Sequence, residues 1–388
     1  MKTSAKRIQP LTPHFFASLG AKITAMHASG CDVIRLDEGS PDLAPAPHII
    51  EALARAAAAP SSHGYQPHRG PQALSLAWAE MYRREYGVEL DPVTEMMPLL
   101  GSKEGIFHLL QAVLDPGDIV LIPDPGYITY TRGTLFAGGE PYYLPLLPEN
   151  GYLPDLQAIP PDVAERARIL WLNYPNNPTA ATAPLKFFAE AVAFAQAYDL
   201  LVCHDAAYSQ VTFTGVNAPS LLQTPGAKEV GLEFNTLSKS HNMAGWRVGA
   251  ALGNPAAIRS LFTLKTNVDS GHFRPVMEAA VAAMTGEQEW CRRRNECYRR
   301  RAGAVVQTLN RLGMQAAMPA ASLYVWSSIP KGWSSVDFAT TILDAAHVSL
   351  TPGTLFGRYG EGYVRISFTA PLGRIEQAME RLEEWMEK

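Results

Sequence analysis

Apolar and polar positions alternate in two rhythms along most of the chain. After Pro71, the residues Leu74, Trp78, Met81 and Tyr82 fall on one face at helical spacing, and Gly87 closes the pattern. After Asp118, residues 119–122 form a continuous apolar run that breaks at Pro123-Asp-Pro-Gly126, which predicts a strand buried on both faces. Residues 168–172 repeat that form and break at Asn173-Tyr-Pro-Asn-Asn-Pro178. Leu185, Phe188, Ala189 and Val192 then predict a helix, and 200–203, 233–237 and 248–252 predict three more strands. Strands alternating with helices imply an α/β fold whose mainly parallel sheet lies between helices.

The texture changes near residue 280. A charged helical stretch, Arg292-Arg-Arg-Asn-Glu296 and Arg299-Arg-Arg301, leads to short strands over 323–327 and 363–368 and a final amphipathic helix. These shifts predict a large domain over residues 41–280 and a small α+β domain over 281–388. Residues 1–40 form an N-terminal arm that contributes to the small domain.

Composition narrows the function. The 388 residues carry 33 Lys+Arg against 37 Asp+Glu, a net charge of −4, so no basic excess points to nucleic acid. The apolar runs are far shorter than the roughly 20 residues of a membrane-spanning helix. Residues 1–10 are polar and lack the apolar core of a signal peptide, so the reading is of a soluble, cytoplasmic protein. Cys31, Cys203, Cys291 and Cys297 show no C-x-x-C spacing, and His63 and His68 have no third ligand, so no metal site is expected.

Polar clusters fall where an open parallel sheet binds ligands, just past the carboxyl ends of predicted strands. Asn177 follows the strand over 168–172, Asp205 follows 200–203 with Tyr208 three residues on, and Ser238-Lys239 follows 233–237. Gly101-Ser-Lys-Glu-Gly105 precedes an apolar helical run, so its amides and the Ser102 hydroxyl are expected to cap a helix and offer an anion site. Each feature has an ordinary structural reading: a cap, a solvated lysine, a turn asparagine, a packing tyrosine at Tyr127, ion-pair arginines at Arg247 and Arg365. Together they supply an amine for a Schiff base, a carboxylate for a pyridine nitrogen, donors for a phenolate oxygen, an anion nest and an aromatic to stack. Those are the requirements of pyridoxal 5′-phosphate.

The chain also resembles the class I/II, fold-type-I pyridoxal-phosphate aminotransferases. The matching segments are Tyr65-x4-Gly70, Gly101-Ser-Lys-Glu-Gly105, Asp124-Pro-Gly-Tyr127, Tyr174-Pro-Asn-Asn-Pro-Thr179 and Asp205-Ala-Ala-Tyr208. Ser238-Lys-Ser-His-Asn-Met-Ala-Gly-Trp-Arg247 and Tyr363-Val-Arg-Ile-Ser-Phe368 complete the series in the family's order. The resemblance implies that Lys239 is the Schiff-base lysine, that Asp205 meets the pyridinium nitrogen, and that Tyr208 and Asn177 meet the phenolate oxygen. It implies Tyr127 on the ring, and Ser102, the Lys103 backbone, Thr236, Ser238 and Arg247 on the phosphate. Tyr65 would reach the phosphate from the partner subunit of a homodimer. Arg365 would clamp the substrate α-carboxylate, with Asn177 and the Gly39 backbone alongside. Two positions depart from the pattern: Ala180 stands where a glycine is usual, so a positive φ there would be strained, and Arg274 stands where relatives often carry a small or amide residue.

The resemblance implies a transaminase that moves an amino group between an L-amino acid and a 2-oxo acid, with glutamate and 2-oxoglutarate as one pair. Segments 100–106, 124–127 and 265–271 are most similar to the LL-diaminopimelate and alanine aminotransferases. Arg35, Arg69, His68, His272 and Arg274 are candidate contacts for a second carboxylate. A β-lyase or a cyclopropane-forming synthase shares the fold and cofactor residues. A regulator's ligand-sensing domain would need a DNA-binding module, and a dinucleotide enzyme a G-x-G-x-x-G after a strand; neither is found.

Overall fold

The computed structural model describes Thr3 and residues 15–387; the remainder of the polar 1–10 segment lies outside the described residues. Twelve strands follow in chain order among them. They are β1 (Ile34–Arg35), β2 (Met96–Leu99), β3 (Ile119–Asp124), β4 (Glu140–Pro145), β5 (Ala167–Leu172) and β6 (Leu201–Asp205), then β7 (Gly231–Thr236), β8 (Gly249–Gly253), β9 (Tyr324–Ser328), β10 (Val348–Ser349), β11 (Thr351–Pro352) and β12 (Tyr363–Ser367). Seven strands form one sheet in the order β2-β8-β7-β6-β5-β3-β4. Pairs from β4 to β7 are parallel; β8 runs antiparallel to both β7 and β2. Among the described residues no helix is long and apolar enough to cross a membrane.

Side-chain alternation shows why the central strands read as unbroken apolar runs. Leu121, Leu170, Leu172 and Val202 pack into one core cluster, whereas Val120, Ile122, Ile169, Trp171 and Cys203 pack into another. Both faces of the sheet are therefore buried, and either polar phase of the pleat would put an unpaired group in the core. The helix Gln72–Tyr86 buries Leu74, Trp78, Met81 and Tyr82 as their spacing predicts, and Gly87 caps it at φ 66°. The helix Leu185–Tyr198 is rotated from the predicted face: Leu185 and Ala189 are exposed, and Phe187, Phe188, Ala191, Val192 and Ala195 are buried. The paired phenylalanines outweigh the single leucine in apolar area.

A third core gathers Ile34, Leu36, Tyr298, Val305, Leu323, Val325, Ile342, Val364, Ile366 and Leu382. Here β11, β12 and β9 form an antiparallel sheet, and β1 pairs in parallel with β10, so N-terminal and C-terminal segments share one cluster. The charged helix Glu289–Arg311 leads into it and buries Arg294 and Arg301 together with Tyr298 and Val305.

Candidate active site

Chain segments at the carboxyl ends of β3, β5, β6 and β7 meet Gly39, Tyr324 and Arg365 around a cavity of about 380 Å³. Asp205, the last residue of β6, is buried at its edge. Its Oδ2 accepts the Tyr130 hydroxyl at 2.8 Å and its carbonyl accepts Asn173 Nδ2 at 2.7 Å. Oδ1 has no hydrogen-bond partner among the described residues. Burial pushes this carboxyl up to about 6, with the Tyr130 hydrogen bond opposing the rise. Tyr208 lines the same cavity and shares a 2.9 Å hydroxyl–hydroxyl hydrogen bond with Tyr324.

Lys239 sits on the single turn Leu237–Ser240 directly after β7; the Thr236 hydroxyl caps that turn by accepting from the Ser238 amide at 3.1 Å. Nζ of Lys239 donates to the Gly39 carbonyl at 2.5 Å. Burial first, then the Arg365 and Arg247 charges, push the amine down to about 8. A glycine is required at 39, because a Cβ there would lie 1.8 Å from the Tyr324 hydroxyl oxygen.

The anion side is built at the start of the helix Ser102–Val113. Its N-cap is Gly101, with no side-chain cap, so the Ser102 hydroxyl does not cap the helix as its position suggested. Ser102 instead lines the cavity beside Lys103, Thr236, Ser238 and Arg247, and the first helical amides lack a side-chain acceptor. Arg247, at φ 60°, donates to the Ala244 carbonyl at 2.9 Å and the Leu100 carbonyl at 3.3 Å. Gly101, at φ 82°, takes a left-handed backbone that favours glycine, and a Cβ there would lie 2.3 Å from Arg247 Nη2 and push that side chain aside.

Arg365 is buried on β12. It donates to Asn177 Oδ1 at 2.8 Å and the Asp37 carbonyl at 2.7 Å, and its guanidinium lies 4.1 Å from the Tyr324 ring centre and 4.7 Å from that of Phe356. Asn173 and Asn176 shape the loop that presents Asn177: Asn173 Oδ1 accepts the Asn177 amide at 2.8 Å, and Asn176 Oδ1 accepts from the Thr179 amide and hydroxyl, both at 2.9 Å. Ala180 occupies the left-handed region at φ 60°, the strain its sequence position anticipated. Tyr127 lines the cavity with its ring edge-on to Tyr130.

The structure thus gathers Gly39, Ser102, Lys103, Tyr127, Asn177, Asp205, Tyr208, Thr236, Ser238, Lys239, Arg247 and Arg365 around one space. It does not bring Tyr65 there, which is 96% exposed on this chain. Arg35, Arg69, His68, His272 and Arg274 also lie outside the cavity lining. Arg35 pairs with Asp37, Arg69 donates to the Met96 carbonyl, His272 lies against the Arg247 carbonyl and Arg274 pairs with Glu278. Glu104, His108 and Asp269 form a group of metal-ligating types behind the Gly101 turn, but the Lys265 ammonium sits 2.9 Å from Glu104 and 2.8 Å from Asp269. Sequence reasoning missed Tyr130, Asn173 and Tyr324. Only Asn173, inside a turn-rich break after a strand, had a local signal.

Three observations fit pyridoxal phosphate. The unpartnered Asp205 Oδ1 suits a ring N–H donor, the Gly101–Arg247 approach with open amides suits a phosphate, and Tyr127 supplies an aromatic wall. Comparison with known proteins agrees. The aminotransferase class I and II family profile matches residues 31–382. LL-diaminopimelate aminotransferase from Moorella thermoacetica is 50% identical over 378 residues, 97% of each chain. The enzyme of that name from Desulforudis audaxviator is 50% identical over 97% of this chain and 96% of its own. Substrate-bound BacF from Bacillus subtilis superposes with a TM-score of 0.96 at 37% identity, covering 99% of this chain and 98% of its own.

Proposed function

The chain belongs to the class I and II aminotransferases and is a pyridoxal-phosphate-dependent transaminase, and on that premise we propose that LL-diaminopimelate is its amino donor, 2-oxoglutarate its acceptor and a cytoplasmic homodimer its working form. The observation that carries the substrate is the 50% identity, over 97% of both chains, to an enzyme named for LL-diaminopimelate.

Bound pyridoxal phosphate supplies an electron sink that makes the Cα–H bond of an attached amino acid acidic. Asp205 Oδ1 would accept the ring N–H and keep it protonated, Tyr208 and Asn177 would hydrogen-bond the phenolate oxygen, and Tyr127 would supply an aromatic wall to the ring. Ser102, the Lys103 amide, Thr236, Ser238 and Arg247 hold the phosphate. Lys239 would hold the cofactor through Nζ, and its amine, in the cavity lining, would serve as the base and acid for the substrate's Cα proton. An amine at about 8 is neutral in roughly one molecule in ten at pH 7, against roughly one in three thousand at its ordinary value of 10.5. Arg365 would present its planar fork to the α-carboxylate, held by the Tyr324 and Phe356 rings and by the Asn177 hydrogen bond.

The same reading divides the chain into an arm of 1–40, a cofactor-binding domain of 41–280 and a small domain of 281–388, with Lys239 and Arg365 both lining the cavity. Tyr65, exposed here, serves the phosphate of a second subunit. The test is donor screening of the purified protein with 2-oxoglutarate, following glutamate formation, beside the change in visible absorbance on adding donor alone. LL-diaminopimelate should exceed alanine, aspartate and lysine in kcat/KM by at least tenfold, and Lys239→Ala should abolish turnover. A silent response to LL-diaminopimelate with vigorous turnover of another donor would overturn the substrate, and a fully active monomer would overturn the shared site.

A further inference from the structure

Arg294 is a guanidinium only 2% exposed, on the helix Glu289–Arg311, and none of its partners is a carboxylate among the described residues. Its Nη1 donates to the Lys239 carbonyl at 2.7 Å, to the Ser240 carbonyl, and to Asn242 Oδ1 at 3.3 Å. Its Nη2 reaches the Gln210 carbonyl at 3.3 Å. Asn295 orients the group, accepting from Nη2 at 2.6 Å and Nε at 3.1 Å, and its own Nδ2 donates to the same Gln210 carbonyl at 3.0 Å. Trp290 and Tyr298 flank the guanidinium at 5.7 and 5.8 Å.

A buried cation held only by neutral oxygens is a poor choice for stability alone, since an apolar side chain of that volume would fill the space without a desolvation penalty. What the guanidinium offers is geometry. The turn Leu237–Ser240 is four residues long, too short to fix its own carbonyls, and one arm of the Arg294 fork, Nη1, takes two of them. The same fork holds Gln210, two residues beyond Tyr208 and five beyond Asp205. One side chain from the helix that leads into the small domain therefore ties the segment carrying Lys239 to the segment carrying Asp205 and Tyr208.

We propose that Arg294 is a positioning residue that fixes the backbone of Lys239 relative to Asp205 and Tyr208, with Asn295 setting its orientation. The inference rests on the assignment of Lys239 above. It acts through main-chain carbonyls and touches neither substrate nor cofactor.

The variants Arg294→Met, Arg294→Lys and Asn295→Ala test it in the full-length protein saturated with pyridoxal phosphate. A loosened turn should lower kcat about 10- to 100-fold in the Arg294 variants, the cost of a misplacement on the order of 1 Å, and leave KM for the amino donor within about threefold. The pH midpoint of the bound cofactor's visible band, which reports the lysine-linked chromophore and not global stability, should shift by half a unit or more. Lysine keeps the charge but not the fork and should not rescue either readout; Asn295→Ala should move both in the same direction by less. Midpoint and kcat within experimental error of wild type in Asn295→Ala, and in each Arg294 variant that folds by circular dichroism, would overturn the proposal; if neither Arg294 variant folds, Asn295→Ala decides alone. Borohydride reduction of the wild type with peptide mapping checks the premise separately. A label on a residue other than Lys239 would refute the lysine assignment, whereas a label at Lys239 beside unmoved variants would refute the role of Arg294 alone.

Discussion

Replacing Tyr130 by Phe isolates one hydrogen bond to Asp205, the proposed partner of the cofactor ring. The Tyr130 ring stacks on Trp171 at 4.8 Å and 11°, and phenylalanine keeps that contact. What disappears is the hydroxyl donated to Asp205 Oδ2 at 2.8 Å. A hydrogen bond to an ionised group contributes about 1.5–3 kcal/mol, and one pKa unit corresponds to about 1.4 kcal/mol. The hydroxyl favours the ionised carboxylate, so its loss should raise the Asp205 carboxyl of the cofactor-free protein from about 6 by about one to two further units. Only the ionised form would pair in charge with a protonated ring N–H, so affinity should be full above that pKa and lost as pH falls through it. Titrating pyridoxal phosphate into cofactor-free protein from pH 5 to 9, followed by tryptophan fluorescence, should show the acid limb of affinity displaced upward by that amount. The two proteins should converge at the alkaline end. An acid limb at the same pH in both, or a loss of affinity uniform across pH, would show that the hydroxyl only packs.

Two further changes probe other parts of the site. Ala180→Gly relieves a left-handed alanine at φ 60°, a strain of about 1–2 kcal/mol of which glycine's looser unfolded chain returns about half; urea unfolding should show a gain of about 0.5–1 kcal/mol, and a loss would mean that the Ala180 methyl packs usefully. Arg365→Lys exchanges a two-pronged fork for a single ammonium, so KM for both amino and 2-oxo acids should rise about 10- to 100-fold with the cofactor spectrum unchanged, and an unaltered KM would remove Arg365 from substrate binding.

Residues at the ends of strands are readable because chain punctuation marks those ends. Asp205 closely follows the apolar run over 200–203, Ser238 and Lys239 follow a strand in which Glu233, Asn235 and Thr236 are mixed with apolar residues, and Asn177 lies in a loop whose prolines and asparagines announce it. Strands with weaker punctuation escape the same reading. Met96–Leu99 is apolar and buried on both faces but is only four residues long with a proline inside, and Glu140–Pro145 is an edge strand that exposes Glu140 and Tyr143, so neither stands out as a buried strand. Tyr130 and Tyr324 are hidden for another reason. Each is one aromatic among fifteen tyrosines, and its role comes from a hydroxyl meeting a residue 75 or 116 positions away, which no local spacing records. Ser102 lines the cavity, but not as a cap. A glycine N-cap leaves the helix amides open where a serine at that position would have closed them.

The antiparallel return of β8 has a consequence for how the site comes together as the chain folds. In a parallel sheet, neighbouring strands are joined by long crossovers, and groups at their ends meet only after large loops close. Lys239 and Arg247 instead lie eight positions apart on the link between β7 and β8, a closure among the least costly in chain entropy. The two mutually repelling cations thus arrive as one local unit of low contact order, and the more distant Asp205 and Arg365 complete the ring of charge once the slower crossovers have closed.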